Sequence, residues 1–386
     1  MRFNPAVARL TAPPVAVVQQ WISQYDGSKG ALIDLSQAVP GYPAHDDMLA
    51  ALGSAAADPS ALSYGPIEGE DTLRQAYASH CSNLYTTSVD PGEVMITAGC
   101  NQAFILAALT VAGAGDDVLM LRPCYFNHSS TLGMAGINVT WADTLAEDSF
   151  MPDPEVIRAA ITPGTRAIAL VSPNNPTGAI YPDDVMQAIM DICVERDIWL
   201  ILDETYRDCM PSDEPPHHLL NRDGWQDRLI LLYSFSKAYA IPGHRLGAAI
   251  AGRATIAEMA KVMDNIQVCA PRAAQIATAP MIAHLADWRE ANRVEMVERG
   301  KAFQAAFAQL NGWHIASMGA YFGFTRHPFE MTSAEAAEYL MRETGVLTIP
   351  GGFFGNGQEG FLRIAFANAS VDEINQLAGR LGGSGR

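Results

Sequence analysis

The sequence predicts an α/β protein with a doubly wound domain on a mostly parallel sheet, followed by a smaller α+β domain. Three observations carry this. Between residues 93 and 233, near-continuous apolar runs alternate with segments of helical spacing. Strands buried on both faces of a parallel sheet read as such runs, and their alternation with helices points to βαβ units. After residue 286 the pattern changes to one long charged helix and then short strands, which suits an α+β layer. Finally, 386 residues with 49% hydrophobic and 17% charged side chains can bury a large core without disulfide or metal staples.

Taken in order, a helix is expected around residues 15–25, after Pro13-Pro14. That segment is too short to stand alone and should pack against the C-terminal domain. EVMIT at 93–97 reads as a strand and 101–112 as a helix; 118–121 is a short apolar strand. RAIALV at 166–171 is a strand followed by a turn rich in Pro, Asn and Gly. Residues 182–194 place Val185, Ile189 and Ile192 on one helical face; IWLIL at 198–202 and LILLY at 229–233 are buried strands. A long helix at 286–310, strands at 313–315, 321–325 and 361–365, and helices at 333–343 and 371–381 complete the chain. The expected division is an N-terminal segment at 1–40, a large domain at 41–284 and a small domain at 285–386.

Charge and cysteine usage exclude several functions. Lys and Arg number 25 against 42 Asp and Glu, a formal charge of −17, so no nucleic-acid footprint or polybasic membrane patch is expected. The start, Met1-Arg2-Phe3-Asn4-Pro5, lacks a secretory leader pattern, and no run of 18 apolar residues suggests a membrane span. The six cysteines form no C-x-x-C pair and no cluster with histidines, as expected for free thiols in a reducing cytoplasm.

Of four lysines, Lys29 is in a Gly-Ser turn, and Lys261 and Lys301 are on charged helices. Lys237 differs: it follows LILLY in SFSKAYAIPGHRLG, just past the carboxyl end of a sheet strand, where open α/β sheets place their ligand crevice. A lysine there is either an amine nucleophile with a pKa lowered by burial or a surface residue on a loop. Ser234, Ser236 and Arg245 around it suit an anion such as phosphate. Asp203 ends another buried strand and either faces the same crevice or caps the next helix; Tyr206 lies three residues on. VSPNNPTG is a turn that could bring Asn175 to the crevice. TAGCNQA joins a strand to a helix whose first amides, at Gly99, Cys100 and Asn101, would form an anion site. His217-His218 lacks metal-ligand spacing and reads as a surface loop, and GGFFG at 351–355 is not a nucleotide fingerprint.

An amine nucleophile, an anion cradle, a buried carboxylate, and Asn and Tyr donors are what pyridoxal 5′-phosphate requires. With SFSKAYAIPGHRLG, NNPTG and DETY in this order, the chain resembles the class I/II, fold-type I aminotransferases from about residue 34 to 366. The resemblance implies a mostly parallel seven-stranded sheet between helices in the large, cofactor-binding domain. It also implies that Lys237 holds pyridoxal phosphate as a Schiff base and moves the substrate's α-proton. Asp203 would pair with the pyridinium nitrogen, and Asn175 and Tyr206 with the ring's phenolic oxygen. Ser234, Ser236, Arg245 and the Gly99–Asn101 amides would hold the phosphate. Tyr125 would stack on the ring, and Tyr64 would reach the phosphate of a neighbouring subunit, making a homodimer with shared sites. Arg363, in FLRIAFA, would grip the substrate carboxylate as a fork, with Gly41 covering the substrate. Substrates would be an L-amino acid and a 2-oxo acid, exchanged by a ping-pong mechanism.

One departure bears on specificity. A dicarboxylate-specific branch of the family carries an arginine from the other subunit, and the equivalent stretch Asp264-Asn265-Ile266-Gln267 has none, although Arg272 is near. Neutral, apolar or aromatic donors are therefore expected, in keeping with Val39, Tyr42 and Phe354. Alternatives on the same fold are a C–S β-lyase, a decarboxylase or a cyclising synthase. Transcription regulators with an aminotransferase-like half need an N-terminal DNA-binding domain, for which a core starting near residue 34 leaves no room.

Overall fold

The computed structural model describes residues 2–382. The strands are β1 (Ile33–Asp34), β2 (Val94–Thr97), β3 (Asp117–Arg122), β4 (Asn138–Asp143), β5 (Thr165–Val171), β6 (Trp199–Asp203), β7 (Leu229–Ser234) and β8 (Gly247–Ile250). Next in the chain are β9 (His314–Gly319), β10 (Phe322–Arg326), β11 (Val346–Leu347), β12 (Ile349–Pro350) and β13 (Phe361–Ile364). Seven strands form the main sheet in the order β2-β8-β7-β6-β5-β3-β4. Only β8 runs against the rest, pairing antiparallel with both β2 and β7. The carboxyl ends of β2, β3, β5, β6 and β7 therefore meet at one edge, and the order reverses between β5 and β3, where such sheets bind ligands.

The apolar runs become strands because both sheet faces are covered: β2, β7 and β8 are buried at every position. Helices Cys100–Val111, Asp183–Arg196, Arg253–Ile266 and Arg272–His284 pack one core with the sheet. Two strands of the seven-stranded sheet escaped the residue pattern. β4 is a half-exposed edge strand of sequence NVTWAD, and β8 is GAAI, whose small residues carry little strand propensity yet are fully buried between two neighbours.

Helix Ala286–Phe307 leaves the large core and leads to a four-stranded antiparallel sheet, β12-β13-β10-β9. Helix Ser333–Thr344 covers it, opened by a Thr332–Glu335 capping box and stopped by Gly345 at φ +66°. The expected helix at 371–381 is two pieces, Val371–Asn375 and Leu377–Leu381, interrupted at Gln376, whose dihedrals stay helical. The N-terminal segment joins this half: β1 pairs parallel with β11, and Val18 packs in one cluster with Met341 and Leu347.

His217 is not on a surface loop. Its side chain is buried because Nε2 lies 3.0 Å from the Glu204 carboxylate and the ring stacks on Tyr85 at 5.1 Å. Its neighbour His218 is exposed. Among the described residues, no helix is long and apolar enough to cross a membrane.

Candidate active site

β7 ends at Ser234, whose hydroxyl accepts from Ser236 N at 3.3 Å and so starts the single-turn helix Phe235–Ala238. This turn fixes Lys237 directly to the sheet edge. Lys237 Nζ donates to Ala38 O, and the Tyr42 hydroxyl donates to Lys237 O at 3.0 Å. Burial, then the charges of Arg245 and Arg363, lower the amine to about 8.

Asp203 ends β6 and is buried. Thr205 N donates to its Oδ1 at 2.9 Å, and His128 Nε2 lies 3.3 Å from its Oδ2. Burial pushes the carboxyl up, but the His128 hydrogen bond and the Thr205 donors outweigh it and hold the group below its usual range. The His128 ring lies flat on Phe104, 3.8 Å between centroids. A buried carboxylate that stays ionised is what a cationic ring nitrogen needs opposite it.

Arg363 reaches the site from β13 of the small sheet. Its Nη1 donates to Asn175 Oδ1 at 3.0 Å and its Nη2 to Ser36 O. The guanidinium lies over Phe322 and Phe354 at 4.8 and 5.2 Å, and burial lowers its pKa to about 10. Tyr125, just before helix Phe126–Met134, accepts from Asn127 Nδ2 at 2.7 Å. Tyr206 packs edge-on to Phe322 at 5.0 Å, and burial keeps its hydroxyl protonated.

Arg245 and Gly99 explain each other. Gly99 has φ +86°, and a Cβ there would strike the Arg245 guanidinium. Glycine thus lets the arginine close on the start of helix Cys100–Val111, where a positive side chain reinforces an anion-binding helix end.

These residues share one cavity of about 490 Å³, lined by Lys237, Asp203, Tyr206, Asn175, Tyr125 and Arg363 together with Cys100, Asn101, Ser234, Ser236 and Arg245. Gly99 lies beside it, and Gly41 and Tyr64 do not line it. Gly41 instead bonds Ala367 O at 3.0 Å and accepts from Arg299, holding the segment whose Val39 does reach the cavity. Tyr64 is 82% exposed. Tyr42 and Phe354 stand behind the wall, on Lys237 and Arg363. Arg272 is outside too, bound to Glu70 at 2.5 Å and to the carbonyls of Ser60 and Ser63.

Sequence reasoning missed His128, Thr205 and the wall formed by Pro13, Pro14, Val15, Phe126 and Asn127. A signal existed for His128, one of nine histidines, which sits in RPCYFNH three residues after Tyr125. Among the described residues no cluster of His, Cys, Asp or Glu could hold a metal ion. Two buried polar atoms in the lining residues, Ser236 Oγ and Arg363 Nε, have no hydrogen-bond partner among the described residues. One stands on the turn with Ser234 and the other belongs to Arg363, which reaches in from β13, so the donor set fits a ligand carrying a phosphate and a carboxylate.

Comparison with known proteins agrees with this geometry. The chain is 32% identical over 321 residues to the aspartate/prephenate aminotransferase of Thermus thermophilus, covering 79% of each. It is 30% identical to an aromatic aminotransferase of Arabidopsis thaliana, covering 84% of this chain and 82% of the relative. Its fold matches the crystal structure of a Thermus thermophilus aspartate aminotransferase mutant at TM-score 0.89, with 28% identity and 99% of both chains covered. An aromatic aminotransferase from Pyrococcus horikoshii matches at TM-score 0.85, with 26% identity over 95% of this chain and 98% of that one. The sequence pattern of the family described as aminotransferase class I and II fits residues 30–381, and with the lysine, aspartate and arginine meeting in one cleft, the chain belongs to that family.

Proposed function

We propose that this aminotransferase uses pyridoxal 5′-phosphate to move the amino group of a neutral, apolar or aromatic L-amino acid to a 2-oxo acid. The observation that carries the reading is the convergence of Lys237, Asp203 and Arg363, from three separate elements, on one cavity. Ser234, Ser236, Arg245 and the amides of Gly99, Cys100 and Asn101 would hold the phosphate. Asp203 would pair with the ring nitrogen, Asn175 and Tyr206 with the phenolic oxygen, and Tyr125 would stack on the ring. When bound, the cofactor supplies an electron sink that makes the α-carbon of an attached amino acid acidic.

The chain's own residues do the rest. Arg363, planar and pinned through Nη1 to Asn175, orients the substrate carboxylate and with it the α-carbon. Lys237 Nζ, with its pKa lowered to about 8, is an amine near its midpoint at neutral to mildly basic pH. It takes the proton from the substrate's α-carbon and would deliver it to the cofactor's C4′ carbon, acting first as base and then as acid. Pro13, Pro14, Val15, Val39 and Phe126 give the cavity an apolar wall. Among the described residues, the cations lining the cavity, Lys237, Arg245 and Arg363, each have a task, which leaves none of them for a side-chain carboxylate. The 2-oxo acid product leaves before the acceptor enters.

The exposure of Tyr64, on a loop that Arg272 ties down, supports a homodimer as the working unit, in which Tyr64 would enter the site of the second copy. All six cysteines are free, consistent with a cytoplasmic enzyme.

Absorbance of the purified holoenzyme, with amino acids added one at a time and no acceptor, tests the reading. Conversion to the pyridoxamine form with neutral or aromatic amino acids is expected. A strong preference for aspartate overturns the substrate class. Release of ammonia, thiol or carbon dioxide in place of conversion overturns transamination.

A further inference from the structure

Residues 203–208 form a turn with two allegiances. Asp203, Thr205 and Tyr206 line the active-site cavity, whereas Glu204, Arg207 and Asp208 do not. Glu204 is fully buried; the Tyr85 hydroxyl lies 2.7 Å from both its oxygens, His217 Nε2 at 3.0 Å and Arg207 Nη1 at 3.3 Å. Arg207 sets its guanidinium 4.1 Å from the ring of Tyr233. The Tyr233 hydroxyl donates to Asp208 Oδ2 at 2.7 Å, and Asp208 Oδ1 accepts from Arg289 Nη1 at 3.2 Å.

This cluster joins three bodies. The turn carries Asp203 and Tyr206, and Tyr233 lies on β7, four residues before Lys237. Arg289 lies on the helix that leads to the sheet bearing Arg363. Well-packed apolar residues often replace buried ion clusters with no loss of stability, so stability alone gives no reason for this one. Directional bonds do what apolar packing does not: they fix the rotation and register of the turn against the strand.

We propose that Glu204, Arg207 and Asp208 are positioning residues of the transfer reaction, locking Asp203 and Tyr206 in register with Lys237. The proposal rests on the roles given above for those three residues. Tyr85→Phe and Tyr233→Phe each delete one hydroxyl and keep the ring; Glu204→Gln keeps the shape and removes the charge. In each holoenzyme we would measure kcat and KM, the pH midpoint of the cofactor's visible absorbance, the pyridoxal phosphate dissociation constant and the thermal midpoint.

Positioning predicts that kcat falls about tenfold in the phenylalanine variants and up to about a hundredfold in Glu204→Gln. KM should stay within about twofold, while the absorbance midpoint shifts and the cofactor binds more weakly. A drop in thermal midpoint with kcat per bound cofactor and absorbance midpoint unchanged overturns the proposal. If Glu204→Gln does not fold, the two phenylalanine variants decide. If the wild type converts no amino acid, the reaction assignment has failed. The absorbance midpoint and dissociation constant need no turnover and still decide the positioning role.

Discussion

Lys237 is one of four lysines in a chain of net charge −17, yet it sits where two arginines also point. The fold concentrates its scarce positive charge at the one cleft that must hold a phosphate and a carboxylate. This has a cost visible without ligand. Burial and the two arginines disfavour the protonated amine, so in the fold it releases its proton near pH 8 rather than near its ordinary 10.5. Between those values the unfolded chain binds more protons at this lysine, so the contribution of Lys237 to the stability of the cofactor-free protein rises with pH. In Lys237→Met that rise should flatten, and transamination should be abolished; thermal midpoints of the apoprotein from pH 7 to 10 check the first, and turnover the second. Lys237 and Asp203 were legible because each follows or ends an apolar strand within an unusual local pattern, whereas Arg363, inside β13, was legible only through the resemblance that FLRIAFA carries. His128 was passed over although RPCYFNH held a signal, because that signal gains its meaning from Phe104 and Asp203, which only the fold brings beside it.

At the scale of elements, the strand ends do the positioning. β5, β6 and β7 are neighbours, with Val171 level with Asp203 and Asp203 level with Leu232, two residues before β7 ends at Ser234, and each strand hands the chain to a turn that lines the cavity. Long apolar runs made these three strands readable. β4 and β8 were not readable, one for its half-exposed polar edge and the other for its alanines, since neighbours rather than propensity decide them. A loop joins the two halves where glycine is required. Gly178 has φ +74°, and a Cβ there would lie 2.5 Å from Gly319 N in the hairpin between β9 and β10. Gly178→Ala should therefore push the small sheet, and Arg363 with it, away from Asn175. We expect KM to rise about tenfold or more with the cofactor still bound, about 1.4 kcal/mol of lost contact, read by steady-state kinetics beside cofactor absorbance.

The whole molecule places its binding groups on different bodies: Lys237 and Asp203 on the large sheet, Arg363 on the small one, and Ser36–Val39 on the segment between them. Leu62 and Tyr64, 81% and 82% exposed, stand on a loop held out by Arg272. Large apolar side chains this exposed suit a covered surface in the working assembly. Sedimentation should give a dimer, and Tyr64→Ala should weaken cofactor binding without unfolding the chain; an active monomer would refute the shared site.

The parallel pairing of β1 with β11 has a consequence for the chain as it is made. Ile33 leaves the ribosome early, but its partner is Val346. At about 5–20 residues per second, Ile33 waits roughly 15 to 60 seconds for that partner. The segment running on from β1 through Ser36, Ala38 and Val39 cannot be seated before the partner arrives, whatever the large sheet has already achieved. Birth order and assembly order are thus reversed here: the cleft's first-made wall is the last to be hung.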